Sequence, residues 1–358
     1  MSILITGATG FIGRHLCAGL TAQGHEVMVL MRSPQRFPIL RQAVDRLGGS
    51  AERLTMVAGD LDRPDLDLRS PLPRLRSIVH LGARFGWRLD PDAARKTNVE
   101  GSRAVLELAA RQGARLVYVS GFMLDNRAHL QRLGLDPDDV ERCDWRRAYR
   151  HAGAYEASKL EGALRVRAWA RALGVEYVEV LPATVAGHSI TGELDPAQPL
   201  WNLIDNLASG RLSMVPGSPQ HWLPLVAVDH LAAVLGLAAT VDDVPGRLLL
   251  RDAATPNLQP MLAALARALG VTAPKRHLPI GVMSAILRVP GVARLMRSEP
   301  EALHFIQAYR PDGEAADRFA ELHGLSHPPI DTVLMAMVRR YRAGALESDG
   351  LLHRQQAV

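Results

Sequence analysis

Residues 1–16 read MSILITGATGFIGRHL and residues 27–34 read VMVLMRSP. The first stretch is a short apolar run, Ile3–Ile5, followed by Gly7, Gly10 and Gly13 in a G-x-x-G-x-x-G spacing and then a helical pattern from Phe11 to about Ala22. A turn this tight needs a residue free to take positive φ, and a pyrophosphate approaching the backbone needs positions without a Cβ. The turn through Thr9, Gly10, Phe11, Ile12 and Gly13 would then offer the phosphates the unpaired N–H groups and positive dipole end of a helix N-terminus. A strand–helix turn with a purely structural role does not call for three glycines at this spacing. The stretch therefore predicts a dinucleotide cradle inside a βαβ unit.

The second stretch bears on which dinucleotide. Sites that prefer NAD carry an Asp or Glu about 20 residues past the glycines, where it accepts from the ribose 2′-OH. Here β-pattern residues Val29-Leu30-Met31 are followed by Arg32 and Ser33, with Arg36 one turn further on. A guanidinium suited to bidentate phosphate binding replaces the carboxylate that would repel a 2′-phosphate. NADP(H) is favoured over NAD(H). The competing reading is a solvated arginine in an Arg-rich chain, since only three of the 42 basic residues are lysine.

Apolar runs and helical patterns alternate down the chain. Strands are expected at Glu26–Met31, Leu54–Ala58, Ser77–Leu81, Leu116–Ser120 and Tyr177–Leu181, with helices over 35–47, 92–112 and 154–173 between or beside them. Continuously apolar strands alternating with helices imply a doubly wound α/β fold of Rossmann type, its parallel sheet covered on both faces. Beyond Pro182 the alternation stops, Pro and Gly become frequent, and helices dominate. The expected organisation is a dinucleotide-binding domain over 1–181 with 222–240 returning to it. A smaller, mostly helical substrate domain is expected from 182–221 and 241–346, and a flexible polar tail at 347–358. Arg247–Leu250 is a candidate further strand.

Composition narrows the classes. The chain has 358 residues, 47% hydrophobic content, a net charge of +5 and two cysteines, Cys17 and Cys143. No apolar run approaches the length of a membrane span, and the N-terminus lacks a signal-peptide pattern, so a cytoplasmic protein is expected. The cysteines have neither disulfide-framework nor metal-site spacing, and no metal site is expected. Basic residues are scattered without interleaved aromatics, which argues against nucleic-acid binding.

Tyr155-Glu-Ala-Ser-Lys159 places a tyrosine and a lysine four residues apart on one helix face. An ammonium beside a phenol favours the phenolate, which suits Tyr155 to exchange a proton with a carbonyl or alcohol oxygen. Lys159 could also hold the nicotinamide ribose. The alternative is a helix-surface pair.

With these motifs in hand the chain resembles the extended short-chain dehydrogenases/reductases, the superfamily that includes the NAD(P)-dependent epimerases and dehydratases. Beside TGATGFIG and YEASK, the resemblance rests on GDL (59–61), HLGA (80–83), TNVEGS (97–102), LPATVAG (181–187) and WLPLVAVDHLA (222–232). It implies that Asp60 and Leu61 meet the adenine and that Leu81, Gly82 and Ala83 line the cofactor. It further implies that Asn98 steadies a bend near the active site and that Pro182, Thr184 and Val185 approach the nicotinamide. A homodimer formed through two helices of the dinucleotide domain is a further expectation by resemblance. GHSITGELD and LPLVAVDHLA are similar to thioester- and fatty-acyl-reductase and ketone-reductase sequences, and VLMRSP to NADPH-using dihydroflavonol and 3β-hydroxysteroid-type enzymes.

One position departs from the pattern. The family's catalytic Ser or Thr follows the fifth strand as V-S-[S/T], whereas this chain reads Val119-Ser120-Gly121-Phe122. Gly121 removes the usual hydroxyl, which leaves Ser120 as the hydroxyl candidate, with a water or Asn98 as the alternative for orienting the substrate carbonyl. Arg146, Arg147, Arg150 and His151, just before Tyr155, are either a basic rim for an acidic substrate tail or a solvated helix face. The sequence thus supports an NADPH-dependent reductase of a lipophilic or acyl carbonyl substrate. The alternatives are a sugar-nucleotide epimerase or dehydratase that recycles NAD(P), and a cofactor-binding regulator with weakened catalysis.

Overall fold

The computed structural model describes residues 2–296 and 298–355. Strand β1 (Ser2–Thr6) runs through the glycine turn into helix α1 (Phe11–Ala22), followed by β2 (Val27–Met31), α2 (Phe37–Arg46), β3 (Leu54–Ala58) and β4 (Leu75–His80). The helix expected over 92–112 is one path in three pieces: α3 (Pro91–Arg95), a π-helical turn (Lys96–Glu100) and α4 (Gly101–Gln112). Next come β5 (Arg115–Val119), α5 (Arg127–Arg132), α6 (Trp145–Ala152), α7 (Ala154–Leu173) and β6 (Tyr177–Pro182). The second half carries β7 (Thr184–Ala186), α8 (Pro199–Ala208), β8 (Val215–Pro216), β9 (Leu225–Ala227), α9 (Val228–Thr240) and β10 (Arg247–Leu250). It ends with α10 (Leu258–Leu269), β11 (His277–Leu278), α11 (Ile280–Leu287), α12 (Val292–Leu295), α13 (Glu314–Leu322) and α14 (Ile330–Gln355).

Two compact units emerge. The first takes residues up to 183 together with 229–250 and 311–326. Its parallel sheet has the order β10-β6-β5-β4-β1-β2-β3. Ile3, Leu4, Ile5, Val29, Ile78, Val79, Leu116 and Val117 are all but inaccessible to solvent. A sheet covered on both faces is the reason these strands are apolar at consecutive positions. Each such side chain contributes about 1.5–3 kcal/mol of burial. The strand order reverses between β1 and β4, and in open α/β sheets ligands bind at the carboxyl ends flanking such a switch point.

The domain boundaries differ from those expected. Strand β10 belongs to the large sheet, pairing with β6 in the register Arg247↔Glu179 to Leu250↔Pro182, with Leu248, Leu249 and Leu250 buried. Residues 311–326, including α13, also fall in this unit. Residues 222–228 do not. They belong to the second unit, where Leu225 pairs with Thr184 and the buried Trp222 exchanges backbone hydrogen bonds with Gln307 and donates Nε1–H to the Tyr309 carbonyl. Of the stretch expected as a tail, α14 continues to Gln355, and 356–358 lie outside the described residues.

Buried charges fix the helices around the sheet. Glu161 on α7 accepts from Arg95 of α3, from Arg165 one turn along, and from the Tyr149 hydroxyl of α6. Arg115, at the start of β5, is buried and donates to the carbonyls of Ala238 in the last turn of α9 and of Val241 and Asp242 just past it, while pairing with Glu176. Among the described residues, no helix is long and apolar enough to cross a membrane.

Candidate active site

The glycine turn is sterically committed. Gly7 has φ +73°, and a Cβ there would lie 2.7 Å from the Gly82 amide nitrogen. At Gly13 a Cβ would overlap the Gly7 carbonyl oxygen and stand 2.7 Å from Ala8 Cα. Helix α1 begins at Gly10 with no side-chain cap hydrogen bond, so its first N–H groups are left for an anion. This cradle opens into a cleft of about 500 Å³ at the carboxyl ends of β1, β2, β3 and β4. These features fit the pyrophosphate of a dinucleotide.

The cleft gathers most of the residues expected there. Gly7, Thr9 and Gly10 line its cradle, Arg32, Ser33 and Arg36 its β2 end, and Asp60, Leu61, Leu81, Gly82 and Ala83 the ends of β3 and β4. Phe11, Ile12 and Gly13 are not in the lining. Phe11 is buried edge-on to the His15 ring, so this turn presents backbone to the cleft. Pro182 closes β6, and Thr184 and Val185 lie in β7 of the other unit. Sequence reasoning missed Asp62, Arg84, Phe85 and Thr97, which also line it. They come from three separate segments, and no single motif spells them together.

A polar relay joins the cradle to the π-helical turn. Ser102 donates its hydroxyl to the Asn98 carbonyl (2.7 Å), so toward His80 Nε2 (3.0 Å) it can only accept. His80 therefore carries its proton on Nε2 and accepts at Nδ1 from Thr6 Oγ1 (2.6 Å), which itself accepts from the Gly82 amide (3.0 Å). Burial, reinforced by the Lys159 charge, pushes His80 down to about 3 and keeps it neutral. The Asn98 side chain accepts from the Arg84 amide (2.7 Å) and donates to the Arg84 carbonyl (3.2 Å) and the Ser158 hydroxyl (2.9 Å). Asn98 lies in the π-helical turn, and its amide ties the loop after β4 to α7.

Tyr155 and Lys159 lie on the first two turns of α7. The Tyr155 ring meets Phe85 edge-to-face at 4.7 Å and Trp87 at 6.3 Å. The lowering of the phenol by Lys159 is not found: burial first, then the adjacent Glu156 carboxylate, push Tyr155 well above its ordinary value. Lys159 instead donates to the Val119 carbonyl (2.8 Å), and burial brings it down to about 8 against the pull of Glu179. Glu156 accepts from His129 Nε2 at 2.6 Å, which anchors the segment between β5 and α7. Ser120 is buried with its hydroxyl directed at the Val180 carbonyl (3.4 Å), on the neighbouring strand. Gly121 is fully extended (φ −175°, ψ 151°) and has no heavy atom within 4 Å of a would-be Cβ. Arg146, Arg147, Arg150 and His151 are exposed on or at the end of α6. No group of three or more metal-ligating side chains occurs among the described residues.

A doubly wound sheet with a glycine cradle at its switch point, and a Tyr–Lys helix beside it, defines a nicotinamide-dinucleotide-dependent enzyme class. Residues 3–248 match the NAD dependent epimerase/dehydratase family, and the chain belongs to that family. The chain is 33% identical over 141 residues to the 2-alkyl-3-oxoalkanoate reductase of Stenotrophomonas maltophilia, covering 39% of each chain. It is 26% identical over 237 residues to the dihydroflavonol 4-reductase of Zea mays, covering 64% of this chain and 63% of that one. The matched stretch thus spans less than two thirds of either relative. In fold it resembles the terminal R domain of the myxalamid PKS-NRPS biosynthetic pathway, with a TM-score of 0.73, 19% identity, and coverage of 96% of this chain and 91% of that one.

Proposed function

We propose that this chain is an NADPH-dependent reductase acting on a carbonyl of a lipophilic substrate, whether ketone, aldehyde or acyl thioester. The observation that carries the proposal is Phe85, which lines the dinucleotide cleft and packs edge-to-face on Tyr155, so the phenol stands at the edge of the cofactor site. Arg32, Ser33 and Arg36 at the β2 end of the cleft support NADPH over NADH, because two guanidiniums occupy the place where an NAD site carries a carboxylate. Relatives named as reductases support the direction of the chemistry.

When bound, the reduced nicotinamide supplies the hydride. Tyr155 gives the proton to the carbonyl oxygen, and burial keeps the phenol protonated for that task. Lys159 holds a positive charge near the reacting oxygen, and Asn98 fixes the loop carrying Phe85. Consumption of NADPH, one equivalent per carbonyl reduced, across a panel of ketones, aldehydes and acyl thioesters is the test. Tyr155→Phe should lower kcat about 10²–10⁴-fold. Turnover without net loss of cofactor would favour an epimerase instead. A Tyr155→Phe variant equal to wild type would end the proposal.

A second reading, a cofactor-binding protein with weakened chemistry, is favoured by one observation: the absent hydroxyl at Gly121.

A further inference from the structure

The residues that sequence reasoning missed form a cluster of their own at the cleft wall. Asp62 accepts from Thr97 Oγ1 at 2.5 Å and from Arg84 Nη2 at 3.2 Å, while Arg32 Nη1 approaches the same carboxylate to 3.9 Å. Arg84 Nε also donates to Thr97 Oγ1 at 3.3 Å. Asp62 is largely shielded at 17% side-chain exposure, whereas Arg84 and Arg32 are 40% and 64% exposed. Asn98 clamps both the amide and the carbonyl of Arg84, so its main chain is fixed and only its side chain can re-aim.

The lining carries three guanidiniums, Arg32, Arg36 and Arg84, against two carboxylates, Asp60 and Asp62. A guanidinium fork matches a phosphate at least as well as a carboxylate, and with more charge. Arg84 also directly follows Gly82-Ala83, the segment that packs on the Gly7 turn. We propose that Arg84 is a phosphate-binding residue of the dinucleotide site, resting on Asp62 as its counter-ion until a cofactor phosphate takes the guanidinium over. This inference rests on the dinucleotide half of the proposed function and is independent of the reductase chemistry. The dinucleotide offers two sources of that phosphate, the pyrophosphate and the 2′-phosphate.

Calorimetric titration of the intact protein with NADP⁺ and with NAD⁺, at low and high salt, tests it. Arg84→Met should weaken binding about 10- to 100-fold and flatten the salt dependence. Asp62→Asn keeps an acceptor for Thr97 but removes the competing charge, and should tighten binding several-fold. Equal loss for both dinucleotides in Arg84→Met places the contact at the pyrophosphate. Loss confined to NADP⁺ places it at the 2′-phosphate. Either supports the proposal. Arg84→Met binding both dinucleotides within about twofold of wild type overturns it, as does weaker binding by Asp62→Asn. If Arg84→Met fails to fold, Asp62→Asn decides alone. A wild type that binds NAD⁺ as tightly as NADP⁺ refutes the NADPH preference, yet the NAD⁺ titrations still read Arg84.

Discussion

Gly121→Ser restores a hydroxyl at the position following Ser120, and the local geometry allows its effect to be worked out. The residue is extended at φ −175° and ψ 151°, a conformation any side chain adopts, and no heavy atom lies within 4 Å of the new Cβ. The substitution therefore adds no strain. By restricting the unfolded chain it should stabilise the protein by about 0.4–1 kcal/mol. The kinetic effect is larger. One preorganised donor at a developing oxyanion is worth about 10²–10³ in kcat, and a serine free to choose its rotamer should realise at least about tenfold of that. The assay is kcat under saturating NADPH, alongside urea denaturation. Gly121→Ala is the control: it shares the backbone effect and lacks the donor, so it should gain stability without rate. Equal rates for the Ser and Ala variants would refute the reasoning, because the hydroxyl would then have no part in orienting the carbonyl.

The remaining predictions concern charge and burial. His80 is neutral in the folded protein, its value lowered from 6.5 to about 3, so its contribution is complete above 6.5 and shrinks as pH falls toward 3. At pH 5 the loss is about 2 kcal/mol, read as the difference in pH dependence between wild type and His80→Gln in urea titrations; parallel curves would contradict it. Lys159, brought down to about 8, should lose its charge as pH rises through that value, so kcat/KM should fall above about pH 8. Lys159→Arg, though slower, should remove that alkaline limb. Arg115→Met strands the carbonyls of Ala238, Val241 and Asp242, and should cost at least about 1–3 kcal/mol in unfolding free energy while leaving NADP⁺ affinity unchanged.

The strands and the cradle were legible because their determinants are local. Consecutive apolar residues such as Ile3–Ile5 and Val27–Met31 meet a two-sided sheet, and the glycines answer close approaches within a few residues or to one neighbouring strand. The motif implies a cofactor contact for the first-turn residues Phe11 and Ile12, yet the cleft is lined by Gly7–Gly10 and not by these two. The domain boundary is not legible in the sequence, because membership depends on pairing across long separations. Arg247–Leu250 joins Glu179–Pro182, while Trp222 is claimed by Gln307 and Tyr309. The direction of the Tyr155 shift is not legible for a similar reason. The i, i+4 spacing announces a nearby ammonium, but it reveals neither the depth of burial nor that Lys159 turns to Val119.

These long-range pairings connect the two halves of the site mechanically. Thr6, at the end of β1, holds Gly82 and His80 together; His80 reaches Ser102, Ser102 the Asn98 carbonyl, and the Asn98 amide both Arg84 and Ser158. Ser158 is the residue before Lys159, and Arg84 the residue before Phe85, which abuts Tyr155. Every link is buried or half-buried, where a hydrogen bond left unmade costs about 1–3 kcal/mol. Asn98 lies within the π-helical turn Lys96–Glu100, and its side chain serves three polar groups at once. The cradle edge at Gly82 is thus joined through Thr6 and His80 to the π-helical turn, and through Asn98 to α7. The network ties the Gly82 edge of the cradle to the segments that carry Phe85 and Lys159, with the neutral His80 at its centre.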